Sequence, residues 1–535
     1  MSKSVRVSVL ALACASGWVL PAQAQSADSA VIQQELAAMR AQMAQMAQRI
    51  DSLEGQLTVA KAKAEAASVA ASTAVSQTQA AAHAKPASDG VVVAWKGAPE
   101  FTGKGGWSFK PRGRLHIDAG VISTPGAYDA SRSFGTKVRA RRLRLGFEGT
   151  VPGGGGYKAE ADFANSTVGF GDVVISYTPA KLPIQLRVGN FETLNSLDQI
   201  SSSNFNTFIE RATFNDAFIN ARRLGAALAW HSKDNDWRVE GGLFTAHSID
   251  SSLDNNGWLG AARLVYAPKA LGGQLHLGLN YQYRDFADNA GGVASTGTAM
   301  PSANQLARYR ARPGTQLTDI RLVDTGSFAA HSDQLLGIEA SAIFKGLYFS
   351  GEAQWLRAKA YSAGNLASGL NSFTGGNAAV VPTRNPSFFG AYGEIGYFLT
   401  GETRGYKRGD GIWARTKVLN PVTSGGSGAF QLAARFDYVD LDDDALINGL
   451  TNNFTTGATS LAPLATRQGR GGIQTGYQLA LNWYPMDYVR FMVNYGRTEV
   501  EGGPIAVLVS PLSTVPVNER KYNLNMFVTR LQIDF

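Results

Sequence analysis

Residues 107–118 read WSFKPRGRLHID, and residues 142–148 read RLRLGFE. In both stretches apolar side chains alternate with polar or charged ones, as Leu143 and Leu145 alternate with Arg144. Successive side chains of a β-strand point to opposite faces, so this period of two predicts strands with one apolar and one charged face. The same pattern recurs to the C-terminus, at 157–163, 171–178, 183–190, 222–231, 236–245, 258–267, 274–286, 335–344, 346–358, 388–399, 429–440, 473–484, 488–499 and 521–535.

The length and charge of these segments favour a membrane barrel. Many run for about ten residues or more, longer than the usual globular strand and suited to a tilted strand that crosses a bilayer. A soluble β-sandwich also shows alternation, but it gives no reason for a charged face on strand after strand. A water-filled lumen does. We therefore predict an all-β transmembrane barrel over residues 106–535.

The connections between strands divide into short and long ones, as in outer-membrane barrels. Tight turns are predicted at 152–156, 179–183, 345–346 and 485–487, and long polar loops at about 191–221, 287–333, 359–387 and 441–471. Aromatic residues near strand ends are typical of the girdles at the two membrane interfaces. The candidates are Trp107, Trp237, Trp355, Trp413, Trp483 and Tyr484.

The N-terminus predicts export. Lys3 and Arg6 precede an apolar run at 7–20, and Ala22-Gln23-Ala24 is a small-residue cleavage motif. We expect residues 1–24 to be a signal peptide removed after about Ala24, because the run is shorter than the ~20 residues of a retained anchor. Removal of its two basic residues lowers the formal net charge from +8 to +6, and the single cysteine leaves with it. The expected location is the bacterial outer membrane.

Residues 25–83 differ in composition from the rest of the chain. Apolar residues recur there at alternating spacings of four and three, a heptad pattern that predicts a short periplasmic coiled coil. A lone helix or a partly disordered segment is the alternative. Residues 84–105 contain proline and glycine and are predicted to be a linker. The heptad positions are Ile32, Leu36, Met39, Met43, Met46, Ile50, Leu53 and Leu57.

Several motifs, in order along residues 105–535, resemble the phosphate-selective porin O/P family of bacterial outer-membrane anion porins. Residues 141–149, RRLRLGFEG, resemble an early strand of that family, and a final strand that ends in Phe535 looks like the C-terminal signature of outer-membrane barrels. The other similar motifs are Gly113-Arg114-Leu115, Gly189-Asn190-Phe191, Ser196-Leu197-Asp198, Ile209-Glu210-Arg211, Thr400-Gly401-Glu402-Thr403-Arg404 and Asn482-Trp483-Tyr484-Pro485.

The resemblance implies a barrel of about sixteen antiparallel strands that assembles as a homotrimer. It also implies a passive channel whose constriction is lined by arginines and conducts inorganic phosphate, polyphosphate-like or other small anions. Neither the strand number nor the trimer follows from the alternation of residues. The expected partners are these anions and the lipid of the outer membrane, with no nucleic acid.

Candidate anion-binding residues come from the inward parity of the first strands. Arg112 and Arg114 share the charged face of one strand, and Arg142 and Arg144 that of the next. The resemblance places arginines at Arg114, Arg141 and Arg142. Arginine suits this role because its planar, permanently charged group offers paired donors to phosphate oxygens. Acidic residues on the same faces, namely Asp118, Glu148, Glu160 and Asp162, are expected to screen part of the positive field.

The long loop at 287–333 supplies four more candidates. Arg308, Arg310 and Arg312 alternate with Tyr309 and Ala311, so an extended segment directs the three arginines to one side. The segment resembles the inward-folding arginine loop of the family, and a solvated basic loop is the alternative. Arg321 is the fourth candidate.

Motifs for metal binding, phosphate-loop binding or catalysis are weak or lacking in the sequence. The spacing of Asp440, Asp442 and Asp444 resembles a calcium loop, but Ala445 replaces its glycine and Thr451 its final glutamate. The glycine run at 153–156 lies between two strands and is interpreted as a turn. We predict no enzyme, cofactor or metal site. A general porin, or a barrel that tethers the envelope through residues 25–83 and conducts incidentally, remains the alternative function.

Overall fold

The computed structural model describes residues 55, 90–128, 133–164, 168–218, 221–245, 249, 257–286, 290–293, 299–301, 306–360, 382–446, 450–452, 459–461 and 470–535. The predicted signal peptide lies outside the described residues, and so does the predicted coiled coil except for Gly55.

Sixteen long antiparallel strands of the described chain form one closed barrel. Each strand pairs with the next, and the last pairs with the first, where Arg530 faces Asp118. The strands are β1 (Ser108–Ile122), β2 (Gly135–Val151), β3 (Gly155–Asp162), β4 (Gly169–Tyr177), β5 (Ile184–Glu192), β6 (Arg222–His231), β7 (Trp237–Thr245), β8 (Trp258–Tyr266), β9 (Gly273–Asp285), β10 (Phe328–Phe344), β11 (Leu347–Ala360), β12 (Ser387–Phe398), β13 (Ala429–Asp440), β14 (Ile473–Met486), β15 (Val489–Glu501) and β16 (Lys521–Asp534). The predicted all-β barrel and its sixteen strands are confirmed.

The alternation along each strand sorts side chains between lipid and lumen. On β2 Leu145 is 54% exposed and points outward, whereas Arg142, three residues before it, is 4% exposed and points into the barrel. Apolar side chains on the outer face contact the acyl chains of the lipid and need no hydrogen-bond partner. Charged side chains need the water or the opposite charges of the lumen, because burial of an unpaired charge is costly. No helix among the described residues is long and apolar enough to cross a membrane.

The connections at one end of the barrel are long, and we call this end extracellular, following the outer-membrane pattern. They span 123–134, 163–168, 193–221, 246–257, 286–327, 361–386, 441–472 and 502–520. At the periplasmic end most turns are tight, and the predicted glycine turn contains Gly153 and Gly154 with positive φ angles of 84° and 96°. The exception is a periplasmic segment of thirty residues, 399–428, between β12 and β13.

This periplasmic segment enters the lumen, which the sequence did not predict. Trp413, assigned above to an interfacial girdle, is instead 1% exposed inside the barrel. It packs with Leu197 and Tyr348, and the guanidinium of Arg404 lies 3.7 Å from its ring centroid. The girdle assignment of Trp413 was wrong because a buried cation–π contact offers the indole a better site than the interface does.

Two extracellular loops also fold into the lumen. The first, 193–221, contains the short helices α1 (Leu197–Ile200) and α2 (Thr213–Ala217). The described part of the second, 306–327, contains a two-residue strand pair, Arg310–Ala311 with Val323–Asp324. Apolar residues of both loops pack together with inward residues of the wall, and examples are Phe214, Phe218, Tyr309, Leu322 and Phe328. A further short helix, α3 (Ala506–Val509), lies in the loop before β16.

A β-hairpin precedes the barrel. It consists of two strands that pair with each other, Val92–Trp95 and Pro99–Thr102. The second strand also pairs with the first residues of β1. Part of the segment 84–105, assigned to a linker from its proline and glycine content, is therefore ordered as a hairpin. The predicted linker boundaries missed it because the strands are only four residues each.

Candidate functional site

A β-bulge in β2 brings neighbouring arginines to the same face of the wall. Arg142 faces His116 of β1, and Ala140 faces Ile117, so that Arg141 is the extra residue of the bulge. A bulge reverses the alternation locally. Arg141 and Arg142 therefore both point into the lumen, and Arg144 follows on the same side.

Arg141 belongs to a four-residue ionic network with the first inward loop. Glu210 of this loop accepts from Arg141 at 2.8 Å and 3.1 Å, and from Arg530 of β16 at 2.9 Å. Arg530 also contacts both carboxylate oxygens of Asp118, at 2.6 Å and 2.7 Å. Burial alone would raise the pKa of Glu210, but Arg141 and Arg530 hold this pKa well below its usual range. The carboxylate is therefore charged and neutralises part of the positive charge.

A second network lies closer to the periplasmic end of β1 and β2. Glu160 of β3 contacts Arg114 at 3.1 Å and Arg144 at 2.8 Å, and Arg112 reaches it at 3.5 Å. Glu148 pairs with Arg112, and Asp162 with Arg144. The expectation that acids screen the candidate arginines therefore describes this part of the lumen, where three cations meet three anions.

The second inward loop presents its arginines as the alternation predicted. Tyr309 and Ala311 are fully buried, while Arg308, Arg310 and Arg312 lie half-buried on the other side. Arg308 makes a bidentate contact with Asp324 at 2.9 Å and 2.6 Å.

The two inward loops are joined by Asp216. This residue of α2 accepts from the backbone N–H of Arg312 at 3.0 Å and from its guanidinium at 3.3 Å, and it also pairs with Arg321. Arg312 contacts Asp319 as well, at 3.1 Å. Arg141 from the wall and Arg312 from the loop line one polar cavity of about 180 Å³ together with Arg211.

Two of the nine candidate arginines have no carboxylate partner among the residues that the structure describes. Arg142 contacts only the Nδ1 of His116, at 3.4 Å, and its Nε is buried without a hydrogen bond. The side chain of Arg310 forms no hydrogen bond or ion pair with another described residue, although its backbone is paired with that of Asp324. Burial and then the nearby Arg308 and Arg321 lower the pKa of Arg310 from its ordinary value, and Asp324 offsets part of this effect. The carboxylate of Asp324 is bound by Arg308, so the guanidinium of Arg310 has no ion pair of its own among the described residues.

Comparison with known proteins agrees with this architecture. The family described as phosphate-selective porin O and P matches residues 109–503, which is most of the chain. The chain belongs to this family. An uncharacterized protein of Caulobacter vibrioides is 32% identical, with 99% of this chain and 96% of that protein covered. Porin O of Pseudomonas aeruginosa is 24% identical over 83% of this chain and 92% of that protein.

The anion-selective porin from Comamonas acidovorans aligns with 80% of this chain and all of its own, at 11% identity and a TM-score of 0.43. The family and the fold indicate an outer-membrane channel rather than an enzyme.

Some charged residues of this porin's lumen were missed by the sequence analysis. Arg530 lies on the inward parity of β16, between Thr529 and Leu531, so strict alternation of the last strand would have found it. Arg490 of β15 reaches neutral groups, the backbone oxygen of Asn206 at 2.7 Å and the amide of Gln532 at 2.7 Å. Glu210 belongs to the motif Ile209-Glu210-Arg211, but no local pattern predicts its contact with Arg141, because that contact depends on the path of a loop.

Two carboxylates of the wall hold the first inward loop in place. Glu352 of β11 accepts from the backbone N–H groups of Leu197 and Asp198 at 3.0 Å and 2.8 Å. Asp437 of β13 accepts from the N–H of Thr213 at 2.9 Å. Both acids thus satisfy free donors at the starts of α1 and α2. The position of Glu210 in the lumen depends on these anchors.

Replacing Glu352 by alanine should destabilise this porin. The change leaves two buried N–H groups unsatisfied, which costs about 3 kcal/mol of the free energy of unfolding. Urea-induced unfolding in lipid vesicles measures it. The control is Glu499→Ala, since Glu499 is half-exposed on the outer face and pairs with Arg497, and an exposed pair contributes about 0–1 kcal/mol. Equal losses in the two variants would contradict the anchoring role.

Among the described residues no three histidine, cysteine or acidic side chains are grouped so that they could hold a metal ion. Asp440, Asp442 and Asp444, whose spacing resembled a calcium loop, therefore form no such group.

Proposed function

We propose that this porin is a passive outer-membrane channel for small anions, with phosphate or polyphosphate-like anions as its preferred substrates. The observation that carries the proposal is the contrast between the two poorly compensated arginines, Arg142 and Arg310, and the ion-paired arginines around them. Fixed positive charge in a wet pore attracts anions and repels cations. Paired arginines contribute little to that field.

In this proposal the two arginines are successive positions on the path of an entering anion. Arg310 lies on a loop that enters from the extracellular end, and Arg142 lies on the wall beside the network of Glu210. We propose that the loop arginines collect the anion and that Arg142 passes it through the neck. Because Arg141, Arg211 and Arg312 surround a cavity that also holds Glu210 and Asp216, the anion is bound weakly enough to leave.

The remaining features of the proposal concern assembly and processing. We propose a homotrimer, as the family resemblance implies, and a mature chain that begins at Gln25 after removal of the signal peptide. Residues 25–83 form a periplasmic coiled coil in this proposal. Crosslinking of the full chain in detergent and N-terminal sequencing of the exported protein test these points.

Arg142→Ala and Arg310→Ala are expected to weaken anion selectivity and phosphate block. In planar bilayers under a KCl gradient the unmodified channel should give the reversal potential of an anion-selective pore, and added phosphate should reduce chloride current. Loss of one unit charge at about 1.4 kcal/mol corresponds to about a tenfold weaker phosphate block. The measurement is the phosphate concentration that halves the current.

The matched control is Arg112→Ala. Arg112 also faces the lumen, but it is paired with Glu148 and near Glu160, so its removal should change the block much less. A channel that prefers cations, or that shows no phosphate block, would refute the anion function and favour a general porin. Equal effects of all three variants would show that ion pairing does not decide which arginines act.

A further inference from the structure

The outer surface of β10, β11 and β12 contains a furrow of small residues. The strand register places Ala340, Gly351 and Gly393 side by side, and Ala353 and Ala391 form a second small pair closer to the extracellular end. Large apolar side chains border a groove of about 1170 Å³ that includes this furrow. They are Leu277, Phe349, Ile395, Phe436 and Tyr477.

Directly above the furrow, toward the extracellular end, the same strands carry an aromatic row. Tyr281, Leu336, Trp355 and Phe389 occupy neighbouring positions on β9 to β12. The rings of Trp355 and Phe389 lie 5.2 Å apart. Aromatic residues at this level mark the boundary between acyl chains and head groups.

The next row is polar and borders a cleft of about 720 Å³. Arg357 of β11 lies between Gln334 and Ser387 in the register. Its side chain is exposed and makes no hydrogen bond or ion pair with another described residue. Arg384, 55% exposed, lies in the same cleft and contacts Asp443 at 3.0 Å.

We propose that this strip binds a phosphorylated glycolipid of the outer leaflet, a lipopolysaccharide, with its acyl chains in the furrow and a phosphate on Arg357 and Arg384. From the membrane interior to the surface, the strip presents the furrow, then the aromatic row, then the two arginines. A lipopolysaccharide presents its acyl chains and then its phosphorylated head group in the same direction. Exposed arginine above an aromatic belt complements an anionic head group. This site lies on the outside of the barrel and does not depend on the anion path.

The acidic residues of the cleft fit the same ligand. Asp440 and Asp442 line it, and in the described part of the chain neither forms an ion pair. The phosphates of lipopolysaccharide carry divalent cations in the membrane, so the lipid itself brings counter-charge to these carboxylates, which by themselves form no metal site among the described residues. The order of apolar furrow, aromatic row and exposed Arg357 along the membrane normal matches a lipid and not a second protein chain, which is why the lipid is the preferred occupant.

Two variants test the two halves of the site. Gly393→Leu fills the furrow, and a Cβ at Gly393 meets no atom within 4 Å, so the barrel tolerates it. Arg357→Gln removes the head-group charge. Their controls are Gly241→Leu, an equally open glycine on the outer face of β7, and Lys521→Gln, an exposed outward cation on β16.

Native mass spectrometry of the full chain in detergent measures the affinity for bisphosphorylated lipid A in magnesium, and for the same lipid after removal of its phosphates. We expect each test variant to weaken binding of bisphosphorylated lipid A about tenfold, with both controls near the unmodified protein. Dephosphorylated lipid should bind weakly and should not respond to Arg357→Gln. Equal binding by test and control variants would overturn the proposal. So would a change of oligomeric state in Gly393→Leu with unaltered lipid affinity, which would assign the furrow to a second copy.

Discussion

Trp413→Ala is expected to raise the single-channel conductance of this porin several-fold. The indole fixes the periplasmic segment 399–428 inside the lumen, where it packs against Leu197 of α1 and Tyr348 of β11. Its backbone N–H also donates to Ser201 of the first inward loop at 3.0 Å. Truncation of a buried tryptophan costs about 3–5 kcal/mol, and the cation–π contact with Arg404 is lost with it.

The loss of the indole is expected to widen the path through the lumen. Without the indole the segment loses its contact with α1, so that both the segment and the loop occupy less of the lumen for part of the time. Planar-bilayer recordings should show larger and noisier single-channel currents in the variant. Trp237→Ala is the control, because Trp237 is 43% exposed and stacks on Tyr266 on the outer face. An unchanged conductance in Trp413→Ala would show that the ion path does not pass this segment.

Glu210→Gln is expected to increase the preference of the channel for anions. The carboxylate lies between Arg141 and Arg530 and neutralises charge at the point where the first inward loop meets the wall. A unit charge about 4 Å from an ion is worth about 4 kcal/mol at an effective dielectric constant of about 20. Screening by salt reduces this value, so we expect the ratio of anion to cation permeability to rise about tenfold.

Glutamine is the chosen replacement because its carbonyl oxygen still accepts from one arginine, which keeps the loop in place. Reversal potentials under a KCl gradient measure the permeability ratio. Glu148→Gln serves as control, since Glu148 is a more exposed lumen acid that pairs with Arg112. A shift of equal size in the control would mean that the net charge of the lumen, and not the charge beside Arg141, sets selectivity.

The barrel could be predicted from the sequence because it depends on a local property, the alternation of apolar and polar residues along each strand. On β1 the apolar Leu115 and Ile117 face lipid while Arg114 and His116 face the lumen, and each residue's side is set by its parity alone. The same rule would have located Arg530. It fails at Arg141, because a bulge is a mismatch between two paired strands and leaves no mark in either strand read alone.

The candidate site could be predicted from the sequence only in part. Alternation correctly directed Arg308, Arg310 and Arg312 to one side, and it anticipated acids near Arg112, Arg114 and Arg144. It did not distinguish a paired arginine from an unpaired one. Arg308 and Arg310 look equivalent in sequence, yet one is bound by Asp324 and the other has no such partner among the described residues.

The sequence by itself determined that this chain forms a barrel and that residues such as Arg114 and Arg142 lie on the inward side of its first strands, since both properties depend on the order of neighbouring residues. Tertiary structure alone decided which arginines keep an uncompensated charge. That outcome depends on contacts such as Arg141 with Glu210, 69 positions apart, and Arg530 with Asp118, 412 positions apart. Electrostatic energy falls with distance in space and is indifferent to separation along the chain, so the folding of the loops into the lumen sets the charge that a passing ion meets.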